Sequence, residues 1–398
     1  MEWDASVSTG LLYTSNAFSD QNASVSEVQR DMSLSADVSH QSKRATIDGG
    51  YQVKRAYYPN SYATDTTSQG RSNIDIVILP GNIIWTGSHQ RTDTLRNFNA
   101  NDTPDNRATR ENFKTGPVIS IKLTPTDMLQ SSFMKSWTTT EFDPDRDSET
   151  DTLAVNYNRA FSALLNVSLA LSQSDVSFDR ALGYETSSQM ISLNRTIKDG
   201  SILLALGNNE VDQLSITSRS PSINLTAYKK LLDTSFSVGY SKLLTHTSID
   251  LSDLGQDVPN FGLINLTEIV EKETFRGGLS KTINGGLSLH LNAYTDVVTS
   301  QSSNLSTDRK GIIASGNYTR PLSPSSSSNA DYVFNYLESW QGDGLDKSTT
   351  HSFSLGYTNQ ISQALSVTAS TNYMTRSGSE NYNFDQTSIV ARLVYAYR

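Results

Sequence analysis

Apolar and small polar residues alternate one by one along most of this chain. Met32, Leu34, Ala36 and Val38 are interleaved with Ser33, Ser35, Asp37 and Ser39. Leu287, Leu289, Leu291 and Ala293 are interleaved with Ser288, His290, Asn292 and Tyr294. Phe353, Leu355 and Tyr357 alternate with Ser354, Gly356 and Thr358. A helix would place its apolar residues three and four apart, whereas a spacing of two gives a strand one face of its own. The pattern predicts strands at 2–15, 26–40, 45–58, 68–79, 82–93, 115–124, 127–142, 149–161, 164–178 and 188–197. It continues with 201–212, 216–231, 235–248, 270–283, 287–301, 309–322, 331–342, 350–361, 365–378 and 384–398.

Connections alternate between two kinds. Pro80-Gly81-Asn82, Lys198-Asp199-Gly200, Leu232-Asp233-Thr234 and Asn284-Gly285-Gly286 are short, and several carry the residues that tolerate positive φ in tight hairpins. Thr94–Phe113, Asp143–Thr150 and Ile249–Glu268 are long and polar. Short turns on one rim and long loops on the other are the mark of bacterial outer-membrane barrels, with the short turns in the periplasm. The expected fold is all-β: one transmembrane antiparallel up-and-down barrel of about 18–20 strands, spanning 1–398 as a single domain. An even count puts both termini on the short-turn rim.

Composition agrees. Apolar residues make up 36% of 398 positions, and no segment is apolar enough for a transmembrane helix. A barrel needs apolar residues only on its outer face, so a low mean hydropathy is compatible with life in lipid. The 18 Tyr, 13 Phe and 4 Trp are spread along the chain and disfavour disorder. There is no cysteine, so a closed hydrogen-bond ladder must supply the stability that a disulfide framework would give a small secreted protein. A net charge of −9 argues against a nucleic-acid partner. Met1-Glu2-Trp3-Asp4 has neither a basic start nor an apolar stretch, and is read as a mature form whose export signal has been removed.

Six strands entering a short turn share one pattern at alternate positions: apolar, apolar or aromatic, basic or amide, apolar. They include Val155-Tyr157-Arg159-Phe161, Ile191-Leu193-Arg195-Ile197, Leu225-Ala227-Lys229-Leu231, Gly277-Leu279-Lys281-Ile283, Gly316-Tyr318-Arg320-Leu322 and Leu355-Tyr357-Asn359-Ile361. The pattern suits a membrane interface. Tyrosines sit at headgroup level, and basic side chains snorkel beside them. Tyr157, Tyr318 and Tyr357 are therefore expected to point outward at the periplasmic interface, flanked by Arg159, Arg195, Lys229, Lys281 and Arg320. Ile389, Ala391, Leu393, Tyr395 and Tyr397 have the form of a terminal assembly strand, although the chain ends on Arg398 rather than an aromatic residue.

The opposite parity selects the lumen. Its candidate path residues are Asp37, Asp48, Lys54, Asp75, Lys122, Asn156, Asn158, Asn194, Arg276, His290, Asn292 and Asp296. Ser35, Gln52, Thr86, Ser120, Ser192, Asn224, Thr226, Asn317 and Thr319 share that parity. Small neutral hydrogen-bonding groups dominate, a wall suited to uncharged polyols or sugars. A strongly ion-selective pore would need a ring of one charge.

No catalytic constellation is present in the sequence, and no enzyme, cofactor or metal is expected. His40, His89, His246, His290 and His351 lack metal-ligand spacing. Asp143-Pro144-Asp145-Arg146-Asp147 resembles half of a calcium loop, but Ser148 stands where glycine is required, and a solvated acidic loop is the simpler reading. Triplets such as Asn224-Leu225-Thr226 follow from alternating small polar residues and are not read as glycosylation sites.

Ile83-Ile84-Trp85 begins a strand, and the loop after it leads into Asn106-Arg107 and then Arg110-Glu111-Asn112-Phe113-Lys114-Thr115-Gly116-Pro117 before Val118–Leu123. This run resembles the outer-membrane β-barrel porin family associated with exopolysaccharide and exosortase gene clusters, as do the repeated strand endings. Thr86-Gly87-Ser88-His89 departs from that family, where more acidic residues would stand. The resemblance implies passage of an extracellular polysaccharide through the outer membrane, with outer-membrane lipid around the barrel and periplasmic polysaccharide-export proteins as partners. It supplies no catalytic residues. Two other readings stay open: a general small-solute diffusion porin, which needs a loop folded inward, and a non-transporting structural or adhesive barrel.

Overall fold

In the computed structural model the described residues are all except 1, 18–24, 96–103, 142–146, 181, 215, 247–268, 284–285, 302–305, 342–343, 379–382 and 398. Twenty strands form one sheet. They are β1 (Glu2–Thr14), β2 (Glu27–Gln41), β3 (Ala45–Tyr57), β4 (Asp65–Leu79), β5 (Ile83–Leu95), β6 (Arg107–Lys122), β7 (Asp127–Thr140), β8 (Ser148–Ser162), β9 (Leu165–Phe178) and β10 (Tyr184–Ile197). The second half comprises β11 (Gly200–Gln213), β12 (Ile216–Leu231), β13 (Thr234–His246), β14 (Ile269–Ile283), β15 (Leu287–Ser300), β16 (Ser306–Ser323), β17 (Ser326–Gln341), β18 (Gly344–Gln360), β19 (Leu365–Gly378) and β20 (Phe384–Tyr397). One turn of 3-10 helix, Pro104–Asn106, precedes β6.

Each strand pairs antiparallel with the next. β20 closes on β1 from Ala5↔Tyr397 to Thr14↔Ser388, and Trp3 stacks on Tyr397 across the seam at 5.2 Å. Closure removes both sheet edges, so every strand has a partner on each side, the condition for backbone in hydrocarbon. Both termini lie on the rim with the shorter connections.

The register fixes two faces. Ser8 lies opposite Ser33 and Val394, and both serines are buried. Followed strand by strand, this parity collects the small polar residues on the inner wall. The other parity collects Val7, Leu34, Val53, Ile76, Phe133, Leu171, Leu206, Leu291 and Leu355, all exposed. So much exposed apolar surface is untenable in water and natural in lipid.

Short connections run at 42–44, 80–82, 123–126, 163–164, 198–199, 232–233, 284–286, 324–325 and 361–364. Gly81, Asp199 and Gly286 take the positive φ their tight turns need, at 79°, 58° and 90°. Leu232 does so at 54°, a conformation that a side chain disfavours. The opposite rim carries the longer connections with two exceptions, 214–215 and 342–343.

All the expected strands are present, but three start well before their apolar alternation. β6 begins at Arg107, so Arg107–Phe113 is ladder rather than loop, with Leu95↔Arg107 and Gln90↔Asn112 in register. β17 and β18 begin at Ser326 and Gly344. Outside the lipid belt both faces are wet, so alternation fades while the backbone ladder continues. Ser148–Thr150 likewise belongs to β8. The calcium-like segment Asp143–Asp147, apart from Asp147, and the loop Ile249–Glu268 lie outside the described residues.

One hairpin departs from a regular cylinder. The β12–β13 ladder stops at Ile223↔Lys242, whereas β13 and β14 stay paired up to His246↔Ile269. Pro221, two residues beyond the last pair, has no N–H to offer the ladder. The upper stem of β13–β14 leaves β12 and leans over the inner face of its neighbours. Leu244 and Ile269 are buried there with Val176, Tyr184 and Val211, inner-wall residues of β9, β10 and β11, and Asn209 Nδ2 donates to the Leu244 carbonyl at 3.4 Å.

Candidate functional site in the barrel lumen

The register sets Asp37, Asp48, Lys54, Asp75, Lys122, Asn156, Asn158, Asn194, Arg276, His290, Asn292 and Asp296 all on the inner wall. They do not converge on one point. Asp37, Asp48 and Asp75 lie on β2–β4 toward the short-turn rim. Asn156, Asn158 and Asn194 lie on β8 and β10, and Arg276, His290, Asn292 and Asp296 line β14 and β15. Among the described residues no group of three His, Cys, Asp or Glu could hold a metal ion.

The charges are segregated. Below the leaning stem of β13–β14, the inner wall from β7 through β13 is Ser, Thr, Asn, Gln, Gly, Ala and scattered apolar residues, with Lys230 beside a short turn as its single charged residue among the described ones. Its hydroxyls bond to each other: Ser168 Oγ to Ser192 Oγ at 2.5 Å and Thr152 Oγ1 to Ser174 Oγ at 3.0 Å. Between β1 and β2, Ser6 bonds Ser35 and Ser8 bonds Ser33, both at 2.6 Å. Groups already bonded to a neighbour grip a passing molecule weakly.

The remaining wall carries charges, several of them neutralised in place. Asp31 on β2 receives Arg392 of β20 at 2.8 Å and Lys54 of β3 at 3.6 Å. Asp296 pairs with Arg309 at 3.3 Å, both buried. Asp331 accepts from Asn317, from Asn329 at 2.8 Å and from Ser354 at 3.2 Å. The Tyr294 ring lies flat over Gly311, where any Cβ would meet it.

Two features occupy the wall near the long-loop rim. Lys242 Nζ donates at 2.7 Å to both Glu271 and Glu273, and Ser220 of the β12 inner face donates to Glu271. These bonds tie the leaning stem to the wall it covers. On the opposite side, Glu27 accepts from the Asn60 backbone N–H at 3.1 Å and from Ser61 Oγ at 2.7 Å, which ties connection 58–64 to the inner face of β2. In that connection Tyr58 meets Tyr62 edge-on at 5.8 Å. Burial pushes the Tyr58 phenol above its ordinary value; nearby Asp65, Glu27 and Asp31 add to the shift and Arg107 opposes it.

The outer face has a lower and an upper border. Tyr157, Arg159, Arg195, Lys229, Lys281, Tyr318, Arg320 and Tyr357 all take the outward parity beside the short turns. Tyr157 donates to Asp127 at 2.6 Å, Arg159 approaches the same carboxylate at 3.7 Å, and its guanidinium lies over Phe161 at 5.0 Å. Lys229 donates to the Lys198 carbonyl. The upper border is a series of cross-strand ion pairs: Arg91–Glu111, Lys135–Glu149, Arg219–Glu210 at 2.9 Å and Lys347–Glu338 at 3.6 Å. Trp137 and Trp340 donate to Glu149 and Glu338 at 3.2 and 3.1 Å. From Asp127 to Trp137 the rise is about 25 Å, taking about 3.3 Å per residue and a tilt of about 40°. That is the height of an outer-membrane apolar belt.

The sequence reading did not single out Lys242, Glu271, Glu273 and Ser220, nor the Asp31–Arg392 and Asp296–Arg309 pairs. Such pairs need the register between strands, which one strand's alternation does not contain. Pro221 inside an alternating run was the available signal for the break.

No protein-family model matches the chain, and no curated protein sequence matches it. Among solved structures the fold is similar to the siderophore receptor PirA from Pseudomonas aeruginosa, with a TM-score of 0.54 and 10% identity over all of this chain and 80% of that one. A mutant of the ferric enterobactin receptor PfeA from Pseudomonas aeruginosa gives 0.56 and 10% over the same shares. The copper transporter OprC gives 0.55 and 11%, again over all of this chain and 80% of that one. At such identity the likeness is one of fold. A closed twenty-strand antiparallel sheet with an apolar outer belt bordered by tyrosine, tryptophan and paired charges is a barrel of the bacterial outer membrane.

Proposed function

We propose that this barrel is a passive conduit through which an extracellular polysaccharide leaves the cell. The observation that carries the reading is the neutral arc of inner wall from β7 to β13 below the leaning stem. A carbohydrate chain can exchange weak hydrogen bonds along such a surface, and no charged residue creates a deep trap along most of it. The resemblance of Asn106–Pro117 to the exopolysaccharide-associated porin family points the same way. In this reading the barrel catalyses no reaction. Periplasmic export proteins deliver the polymer and give the movement direction. Deleting the gene should abolish surface polysaccharide while polymer accumulates in the periplasm or is not made. Unchanged surface polysaccharide would refute the proposal.

One observation favours a second reading, a diffusion porin for small solutes. The stem of β13–β14 leans inward, as the narrowing element of such a pore must. Planar-bilayer recordings separate the two. A conduit is blocked transiently by long neutral dextrans added on the short-turn side, whereas a small-solute pore passes monosaccharides and excludes those polymers.

A further inference from the structure

At the upper border of the apolar belt, the cations of β5, β7, β12 and β18 face a carboxylate on a neighbouring strand. Lys310 of β16 stands opposite Glu338 in the register. Arg30 and Arg55 are different. Both are exposed, both take the outward parity, and they are diagonal neighbours, because Arg30 lies opposite Tyr57 and Met32 opposite Arg55. No hydrogen bond or ion pair joins the side chain of either arginine to any other described residue. The outer faces of β1, β2, β3 and β4 contain no aspartate or glutamate among the described residues. Diagonal positions on paired strands lie about 7–8 Å apart, within reach of two long side chains closing on one tetrahedral anion.

Leu11 lies beside Arg30 and Met32 beside Arg55, Leu34 and Val53 lie one step further toward mid-membrane, and the four are 52%, 59%, 53% and 45% exposed. Cationic forks above a bare apolar strip match an amphiphile with phosphate at its head and acyl chains beneath. The long-loop rim faces the cell exterior, so the amphiphile belongs to the outer leaflet. We propose that Arg30 and Arg55 bind the phosphate of an outer-leaflet lipid whose acyl chains lie along the outer face of β1–β3. The apolar strip commits the site to a lipid rather than to a free anion, which would gain nothing from it. The site is independent of what passes through the lumen.

The test is native mass spectrometry of the purified full chain in detergent with bisphosphorylated lipid A. The R30Q/R55Q double variant should retain about tenfold less lipid than the wild type, since two charge-assisted contacts are lost. R30K/R55K should recover part of the binding. Wild-type protein should lose a similar factor with lipid A stripped of its phosphates, a measurement that needs no variant to fold. K135Q/R219Q, which removes cations already paired, should bind like the wild type. Equal binding by R30Q/R55Q, or an equal loss in K135Q/R219Q, would overturn the proposal. Displacement of the lipid by millimolar inorganic phosphate would identify a free-anion site and overturn it as well.

Discussion

The assignment of faces can be tested at two adjacent residues of β16. Ala314 takes the outward parity, opposite Leu291 and Phe334, and Ser315 takes the inward parity, opposite His290 and Val333. Arg320 and Lys310 mark the two borders of the outer face on this strand, about 25 Å apart by the same rise and tilt. Ala314 lies near the midpoint. An arginine there meets hydrocarbon and should cost about 2–4 kcal/mol, a factor of about 30 to 1,000 in the folded-to-unfolded ratio. Ser315→Arg places the same side chain in the wet lumen and should cost close to nothing beyond its bulk. Tyr318→Arg lies about 5 Å inside the lower border and should fall between them, at about 1 kcal/mol, with impaired assembly. Urea titration of each variant refolded into vesicles, read by heat-modifiable migration on gels, gives all three differences. Equal costs for Ala314→Arg and Ser315→Arg, or a larger cost for the serine, would show that the faces are reversed.

Three further outcomes are expected. Lys242→Met leaves Glu271 and Glu273 facing each other without their shared cation; it should cost about 1–2 kcal/mol after allowance for partial exposure, and single-channel current should become noisier as the stem loosens. Pro221→Thr restores an N–H where the β12–β13 ladder stops, so the stem should straighten against β12 and conductance should rise; unchanged conductance would mean the proline is not the cause of the lean. Asp175 lies directly opposite Asp151 and Glu185 on the outer face, so Asp175→Thr should raise the urea midpoint by an amount equivalent to about 0.2–1 kcal/mol; a lower midpoint would show that the row of acids is not repulsive.

Alternation carried most of the fold because lipid imposes a strict rule on one face of each strand. Met32, Leu34 and Ala36 could be placed from spacing alone, and so could Tyr318 and Arg320. The rule fails where lipid ends. Arg107–Phe113 has mixed polar residues on both faces, so only its pairing with β5 marks it as part of β6. The leaning hairpin shows a second limit. Leu244 and Ile269 have the spacing of lipid-facing residues, yet they are buried against the inner wall. Spacing reports which residues share a face. What that face meets depends on where a ladder breaks, and here Pro221 marks the break. The lumen charges were legible one by one, but their neutralisation, Asp31 by Arg392 for example, depends on strands far apart in sequence.

The seam between β1 and β20 also governs when the protein can form at all. Gln386 Nε2 reaches Thr14 Oγ1 at 3.1 Å across 372 positions of sequence. β1 pairs with β2 on one side and with β20 on the other, so the sheet remains an open ribbon until Phe384–Tyr397 has found β1. Throughout that interval the outer edges of β1 and of the newest strand expose unpaired N–H and C=O groups, the template on which strands from other copies add. The search for the last partner is the longest-range step in the molecule and is expected to be among the slowest. A chain stopped before Phe384 would retain both edges indefinitely, so premature termination near the end should produce aggregated or degraded protein rather than a slightly smaller pore.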